Sequence, residues 1–178
     1  MPPRDDLTLF SYMVLGLVGR DGAGPHDLLR MARHGRVYDW AGESQYYVEP
    51  KRLAKLGYLE ASKVPGRTRE RTVYRLTEQG LDALRAWAET PATFPSLKSD
   101  PLVRMLVADL VGEAPTARSL AALRADIADL QARLDVAEAV AETLPHRTKY
   151  LLLAHGLVRR MLELHLAWVD EVERELDG

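Results

Sequence analysis

The chain has 178 residues, 47% of them hydrophobic and 28% charged, with a formal net charge of −2, which is typical of a globular protein of one or two domains. It contains no cysteine, which excludes disulfides, thiol chemistry and cysteine-ligated zinc. No apolar run is long enough to span a membrane and the N-terminus does not resemble a signal peptide, so we expect a cytoplasmic protein.

The first two predicted helices lie before residue 34. Residues 7–18 are apolar at helical spacing, and the turn residues of 20–25 end the pattern. Residues 26–33 predict a second short helix, whose core candidates are Leu28, Leu29 and Met31.

A third helix, a hairpin and a fourth helix follow. Ser44 is a favourable N-cap for the third helix, and Gly57 is a favourable glycine just beyond its end. Residues 58–64 and 72–76 are β-prone and flank a polar Pro-Gly tip, which predicts a hairpin. Thr77 opens a fourth helix that carries Leu81, Leu84, Trp87 and Ala88. Together these elements predict an N-terminal winged helix-turn-helix with a two-stranded wing.

The third helix has two unlike faces. Its period places Tyr46, Pro50, Leu53 and Leu56 on an inner face and leaves a polar, cationic outer face. In the major groove, glutamine pairs with adenine, lysine or arginine with guanine, and a tyrosine hydroxyl with phosphate. The alternative is a solvated face with no partner. Pro50 should either kink the helix or make its inner face irregular.

Positive charge is concentrated around this helix and the wing. Residues 51–75 contain eight Lys or Arg and two acids, a balance of +6. The arginines near the wing tip suit phosphates or the minor groove, or else they only protect an exposed hairpin edge. We predict contacts to double-stranded DNA from Ser44, Gln45, Tyr47, Lys51, Arg52, Lys55, Arg67, Arg69 and Arg71.

The second half of the chain is predicted to be helical throughout. Three prolines between residues 91 and 101 mark a linker, so we expect a DNA-binding domain over 1–90, a linker over 91–100 and a dimerisation domain over 101–178. Pro115 suggests another break. Beyond it, a heptad seam typical of a coiled coil comprises Leu120, Leu123, Ile127, Leu130, Leu134, Ala137, Ala141 and Leu144.

The last predicted helix, residues 147–176, carries two apolar stripes instead of one. Burial on two sides follows most simply from packing against its own chain and against a second copy, so we expect a homodimer. A flat aromatic side chain at such an interface could also stack a planar ligand. The predicted interface or effector residues are Leu157, Met161, Leu164, His165, Trp168 and Val172.

No constellation for catalysis stands out. The five histidines have no ligand spacing, and no phosphate loop, nucleophile elbow or HExxH sequence is present. Asp126, Asp129, Asp135 and Glu138 lie on the outer heptad positions and are expected to be solvated. We therefore expect no enzyme activity, metal or cofactor.

Several segments resemble the PadR-like transcriptional regulators. Residues 40–59 are similar to that family's Trp…Ser-Gln…Tyr-Pro…Leu-x-Arg-Leu…Gly-Leu signature, and residues 71–80 to its wing and post-wing motif. Residues 25–28 and 165–168 also match in part. Val48 and Pro50 depart from the pattern, because the family has proline and leucine there.

The resemblance implies a homodimeric repressor of the subfamily with a long C-terminal half. Such a repressor is released from a pseudo-palindromic operator when a small aromatic molecule binds. Two other readings stay open: a helical adaptor whose winged helix contacts protein instead of DNA, and a small enzyme acting on a planar substrate at the dimer interface.

Overall fold

The computed structural model describes residues 6–33, 41–66 and 70–176. It divides the chain into two compact units, Met1–Thr93 and Phe94–Gly178. The fold is mainly helical with one two-stranded antiparallel sheet, as predicted.

The first unit is the predicted winged helix-turn-helix. Its elements in chain order are α1 (Leu9–Val18), α2 (Pro25–Arg33), α3 (Gln45–Lys55), β1 (Leu59–Val64), β2 (Arg71–Leu76) and α4 (Glu78–Ala88). Apolar side chains from all three leading helices meet those of the hairpin in one core, whose members include Val14, Leu15, Leu28, Leu53, Tyr58 and Tyr74.

The wing is an antiparallel hairpin with Leu59 opposite Leu76 and Val64 opposite Arg71. An additional pair of backbone hydrogen bonds, each 3.0 Å long, joins Tyr74 to Ala23 in the turn between α1 and α2. The base of the wing is therefore fixed to the helix-turn-helix by backbone as well as by side chains.

Short caps define where the flanking helices begin. Thr8 and Ser11 form a capping box at the start of α1. Thr77 caps α4 by accepting from the Gly80 amide at 3.1 Å. Gly80 also permits close packing, because an added Cβ would lie 2.2 Å from the Tyr58 carbonyl oxygen. On α4, Leu84 packs against the core, whereas Trp87 is 38% exposed and stacks on Tyr12.

The second unit contains only helices among its described residues: α5 (Asp100–Leu106), α6 (Ala108–Val111), α7 (Glu113–Ala121), α8 (Leu123–Glu142) and α9 (Thr148–Leu176). The heptad seam was expected to lie on one helix, but it is divided between two, because a turn at Ala122 separates α7 from α8. Pro115 does not break a helix; it lies in the first turn of α7, where its missing N–H costs nothing. Helices α5 and α6 had no specific prediction.

The heptad seam packs against α9 of the same chain. Its members Leu120, Ile127, Leu134, Ala137 and Ala141 are buried, and Leu123, Leu130 and Leu144 are half-buried. The α9 residues on the facing side are Val158, Leu162, Val169 and Val172, each no more than 8% exposed. One of the two predicted α9 stripes is thus covered within the chain.

Candidate nucleic-acid interface

Helix α3 begins after a tight turn and ends at a glycine. Ser44 precedes the first helical residue, but its side chain makes no capping hydrogen bond because its own backbone is already helical (φ −59, ψ −29). Ser44 therefore occupies the predicted N-cap position but does not cap the helix through its side chain. Gly57 follows the helix with φ +84, a conformation that favours glycine, so its predicted role is confirmed.

The outer face of α3 consists of Ser44, Gln45, Tyr47, Val48, Lys51 and Lys55, all exposed. Tyr47 is 41% and Val48 54% exposed, so neither side chain is packed into the core. Lys51 and Lys55 are one turn apart, so the face presents a phenol, an amide and two ammonium groups to solvent. The inner face is Tyr46, Glu49, Pro50 and Leu53.

Two residues of α3 are placed differently from the prediction. Leu56 was expected in the core but is 39% exposed at the C-terminal end of the helix. Glu49 had no predicted role, but its side chain is buried on the inner face. Pro50 is also buried, and α3 continues through it without interruption.

Arg52 was predicted on the outer face among the DNA contacts, but its side chain is directed towards α1. Its guanidinium donates to both carboxylate oxygens of Glu49, with Nε–Oε2 at 2.8 Å and Nη2–Oε1 at 2.6 Å. It also donates to the Ser11 hydroxyl at 3.0 Å and to the Asp6 carbonyl at 2.9 Å. Arg52 is turned towards α1 because these acceptors lie there, and four of its five N–H donors are used within the chain.

The wing arginines have different outcomes. Arg67 and Arg69 lie outside the described residues. Arg71 begins β2, is 58% exposed and donates to the Asp27 carboxylate of α2 at 3.2 Å. Arg30 contacts the same carboxylate at 3.0 Å. Two cations beside the wing therefore share one acid.

The predicted interface residues on α9 divide by burial. Leu157 and Leu164 are 51% and 67% exposed, while Met161, His165 and Trp168 are half-buried. Val172 is 6% exposed within its own chain, so it belongs to the inner packing and not to the outer stripe. Sequence reasoning missed Leu153 and Tyr150, which are exposed and continue the outer stripe by one and two turns before Leu157.

Two structural features that would indicate other functions, a metal centre and a membrane-spanning helix, are not found in the part of the chain that the structure describes. No group of three or more His, Asp or Glu side chains there is arranged to hold a metal ion. Among the described helices, none combines the length and apolar character that crossing a bilayer requires.

Comparison with known proteins bears on the fold. The chain is similar over 97% of its length to Bacillus subtilis PadR in complex with operator DNA (TM-score 0.76, 16% identity, 99% of that chain). It is similar over 94% of its length to the Vibrio cholerae virulence activator AphA (0.72, 21%, 98% of that chain). It is similar over 99% of its length to the PadR-like regulator BC1756 of Bacillus cereus (0.71, 18%, 98% of that chain).

The chain has the PadR-like fold. Neither a family model nor a curated protein matches its sequence. A further structure of Bacillus subtilis PadR, solved with p-coumaric acid, matches 96% of the chain with a TM-score of 0.69 and 18% identity. The predicted resemblance to PadR-like regulators is thus confirmed for the fold, over nearly the whole chain.

Proposed function

We propose that the protein is a DNA-binding transcriptional regulator that reads duplex DNA with the outer face of α3. The observation that carries this proposal is that face itself. It belongs to the third helix of a winged helix-turn-helix, and it exposes Gln45, Tyr47, Lys51 and Lys55 instead of packing them. A recognition helix in the major groove needs this combination of amide, phenol and cations.

The contacts divide into two chemical classes. Gln45, at the first helical position, is assigned to a base edge, because an amide can pair bidentately with adenine. Ser44, Tyr47, Lys51 and Lys55 are assigned to phosphates, with the lysines also able to reach guanine. Arg67, Arg69 and Arg71 extend the phosphate contacts along the wing. Residues 1–90 would then be the DNA-binding domain and 101–178 the dimerisation domain, joined by 91–100.

The outer stripe of α9 supports a homodimer. Tyr150, Leu153, Leu157 and Leu164 are each at least half exposed, and an apolar row of this kind is typical of a surface covered by another chain. A two-fold dimer would read a pseudo-palindromic operator with two copies of α3. We further propose that the protein acts in the cytoplasm as a repressor, released when a small aromatic molecule stacks near Trp168.

Fluorescence anisotropy tests the DNA-binding proposal. A duplex selected by the wild-type protein from a random library and its scrambled version are titrated at several salt concentrations. We expect a dissociation constant of about 10⁻⁸ to 10⁻¹¹ M for the selected duplex. Lys51→Ala and Lys55→Ala should each flatten the log–log salt dependence by about one. Arg118→Ala, an exposed arginine of α7, is the control and should change nothing.

A protein that binds no duplex in a salt-sensitive manner would contradict the proposal and favour the adaptor reading. The effector is tested separately, by titrating aromatic acids against the wild-type protein and a Trp168→Phe variant. We expect Trp168-dependent quenching together with loss of the operator complex. Quenching that leaves operator affinity unchanged would show a pocket without a regulatory role.

A further inference from the structure

A buried polar cluster lies on the side of α3 that faces away from its outer face. Glu49 is 7% exposed and Ser11 fully buried, and the Ser11 hydroxyl donates to Glu49 Oε1 at 2.7 Å. Arg52 closes the cluster by binding both carboxylate oxygens. The three side chains join α3 to α1.

The cluster also reaches the segment before α1. Arg52 donates to the Asp6 carbonyl, and the Tyr58 hydroxyl, three residues beyond the end of α3, lies 3.1 and 3.2 Å from the Asp6 carboxylate oxygens. The last turn of α3 and the chain that leaves it are therefore both anchored to the same short segment.

The directional hydrogen bonds of this cluster restrict the rotation of α3 about its own axis. Apolar packing by Leu53 is non-directional and tolerates small rotations of α3 about its axis, and the edge-on contact between the Tyr46 and Phe10 rings lies at the first turn of the helix. A bidentate guanidinium–carboxylate pair has a fixed planar geometry and does not tolerate them. On a helix about 10–12 Å wide, a rotation of about 20° moves the outer side chains by about 2 Å. That displacement exceeds the distance range of a hydrogen bond to a base edge.

We propose that Glu49 and Arg52, together with Ser11, are positioning residues that set the angle at which α3 presents its outer face to DNA. The inference rests on the proposed function. It assigns Arg52 a role in sequence discrimination through the orientation of Gln45 and Tyr47, and no contact to phosphate. Buried ion pairs add little net stability, so orientation is the property through which such a pair acts here.

The test compares discrimination with salt dependence in the full-length protein. The Glu49→Gln/Arg52→Gln variant removes both charges and leaves the net charge unchanged. Ser11→Ala retains the ion pair but removes a hydroxyl that also accepts from the Thr8 amide in the capping box of α1. Thr8→Ala, which disrupts that box and leaves the hydrogen bond from Ser11 to Glu49 in place, is its control. Affinities for the selected and scrambled duplexes are measured across a salt series, after circular dichroism has established a cooperative melt. Lys51→Ala, a lost cation on the neighbouring outer face, is the matched control.

We expect the double variant to lose about tenfold or more in the ratio of selected to scrambled affinity, the size of one good base contact. Its salt slope should equal that of the wild type, whereas Lys51→Ala should be shallower by about one. Ser11→Ala should lower the ratio in the same direction, and it decides the matter if the double variant fails to fold.

Two results would overturn the inference. Full discrimination in both variants would show that apolar packing alone orients α3. A double variant with a slope as shallow as that of Lys51→Ala would show that Arg52 contacts phosphate. If the wild-type protein binds no duplex in a salt-sensitive way, the proposed function fails and the inference fails with it. If the wild-type protein binds and the variants retain its ratio of selected to scrambled affinity, only the inference fails.

Discussion

Glu49 is a buried carboxylate whose charge is balanced almost entirely by one neighbour. The hydrogen bonds from Arg52 lower the pKa of this carboxyl below its ordinary value of 4.5, the Ser11 hydroxyl acts in the same direction, and burial opposes both. Because the pKa is lower in the folded than in the unfolded chain, ionised Glu49 stabilises the fold above the unfolded-state pKa. That contribution is lost as the pH falls through the folded-state pKa.

We predict that Glu49→Gln lowers the free energy of unfolding by about 1–3 kcal/mol at neutral pH, since an amide replaces a charged acceptor beside a half-exposed guanidinium. The difference from the wild type should shrink as the pH is lowered below 4.5. Urea unfolding at a series of pH values measures it. Glu60→Gln, an exposed glutamate of β1, is the control and should stay within about 0.5 kcal/mol of the wild type throughout. A constant Glu49→Gln difference at every pH would contradict the assigned cause.

At the scale of elements, an ion pair between Arg71 of β2 and Asp27 of α2 connects the wing to the helix-turn-helix. Asp27 accepts from Arg71 of β2 and from Arg30 of its own helix, and both arginines are mostly exposed. The Asp27 carboxylate also accepts from the Gly24 amide at 3.3 Å. One acid therefore neutralises part of the positive charge beside the proposed DNA surface.

We predict that Asp27→Asn strengthens binding to random duplex DNA and steepens its salt dependence by up to about one unit, because it leaves an additional cation available to phosphates. Discrimination between selected and scrambled duplexes should fall as a result. Anisotropy titrations measure both quantities. Asp82→Asn, which releases Arg85 on α4, is the control. Asp82 and Arg85 are three residues apart, as are Asp27 and Arg30, but they lie on a different helix. Equal changes in the two variants would show a general charge effect.

Helices α8 and α9 contact each other through buried apolar side chains and through surface ion pairs, so the contributions of the two kinds of contact to stability can be compared. Arg159 of α9 contacts Asp135 and Glu138 of α8 at 2.8 and 2.9 Å, at the surface. Leu162, one turn beyond Val158, is 5% exposed between the same helices. We predict that Leu162→Ala costs about 2–5 kcal/mol of unfolding free energy, whereas Arg159→Ala costs at most about 1 kcal/mol. Urea unfolding of both variants compares them; similar losses would mean that the ion pairs stabilise more than their exposure suggests.

The sequence predicted elements better than it predicted side-chain orientation. Periodicity and caps located α1, α2, α3, the hairpin, α4 and α9 to within a few residues, because those signals are local. Arg52 was misplaced because a helical period gives its angle but not the acceptors in Ser11 and Asp6 that attract it. The sequence signal that could have revealed the ion pair is the glutamate at position 49, three residues before Arg52 on the same helix. The helical character of residues 101–178 was predicted, but α5 and α6 were not located individually, because a proline-rich stretch precedes them and neither has a buried stripe.

For the whole molecule, the proposed dimer rests on the outer stripe of α9. Tyr150, Leu153, Leu157 and Leu164 follow one side of this 29-residue helix and remain largely exposed in a single chain. An exposed apolar row of this length carries a cost in water, which a second copy would remove. The proposed dimer and the proposed operator symmetry therefore depend on the same residues.

We predict that wild-type protein sediments at twice its chain mass of 20.0 kDa, and that Leu157→Asp/Leu164→Asp sediments as a monomer with an intact first unit. Wild-type protein should give a footprint with dyad symmetry and half-sites about 34–36 Å apart. The monomeric variant should protect single half-sites, and only at much higher concentration, because it loses the second α3 of the pair. Ala139→Asp, an exposed change on α8, is the control for an added charge. A monomeric variant that still protects both half-sites at wild-type concentration would show that operator symmetry does not arise from this interface.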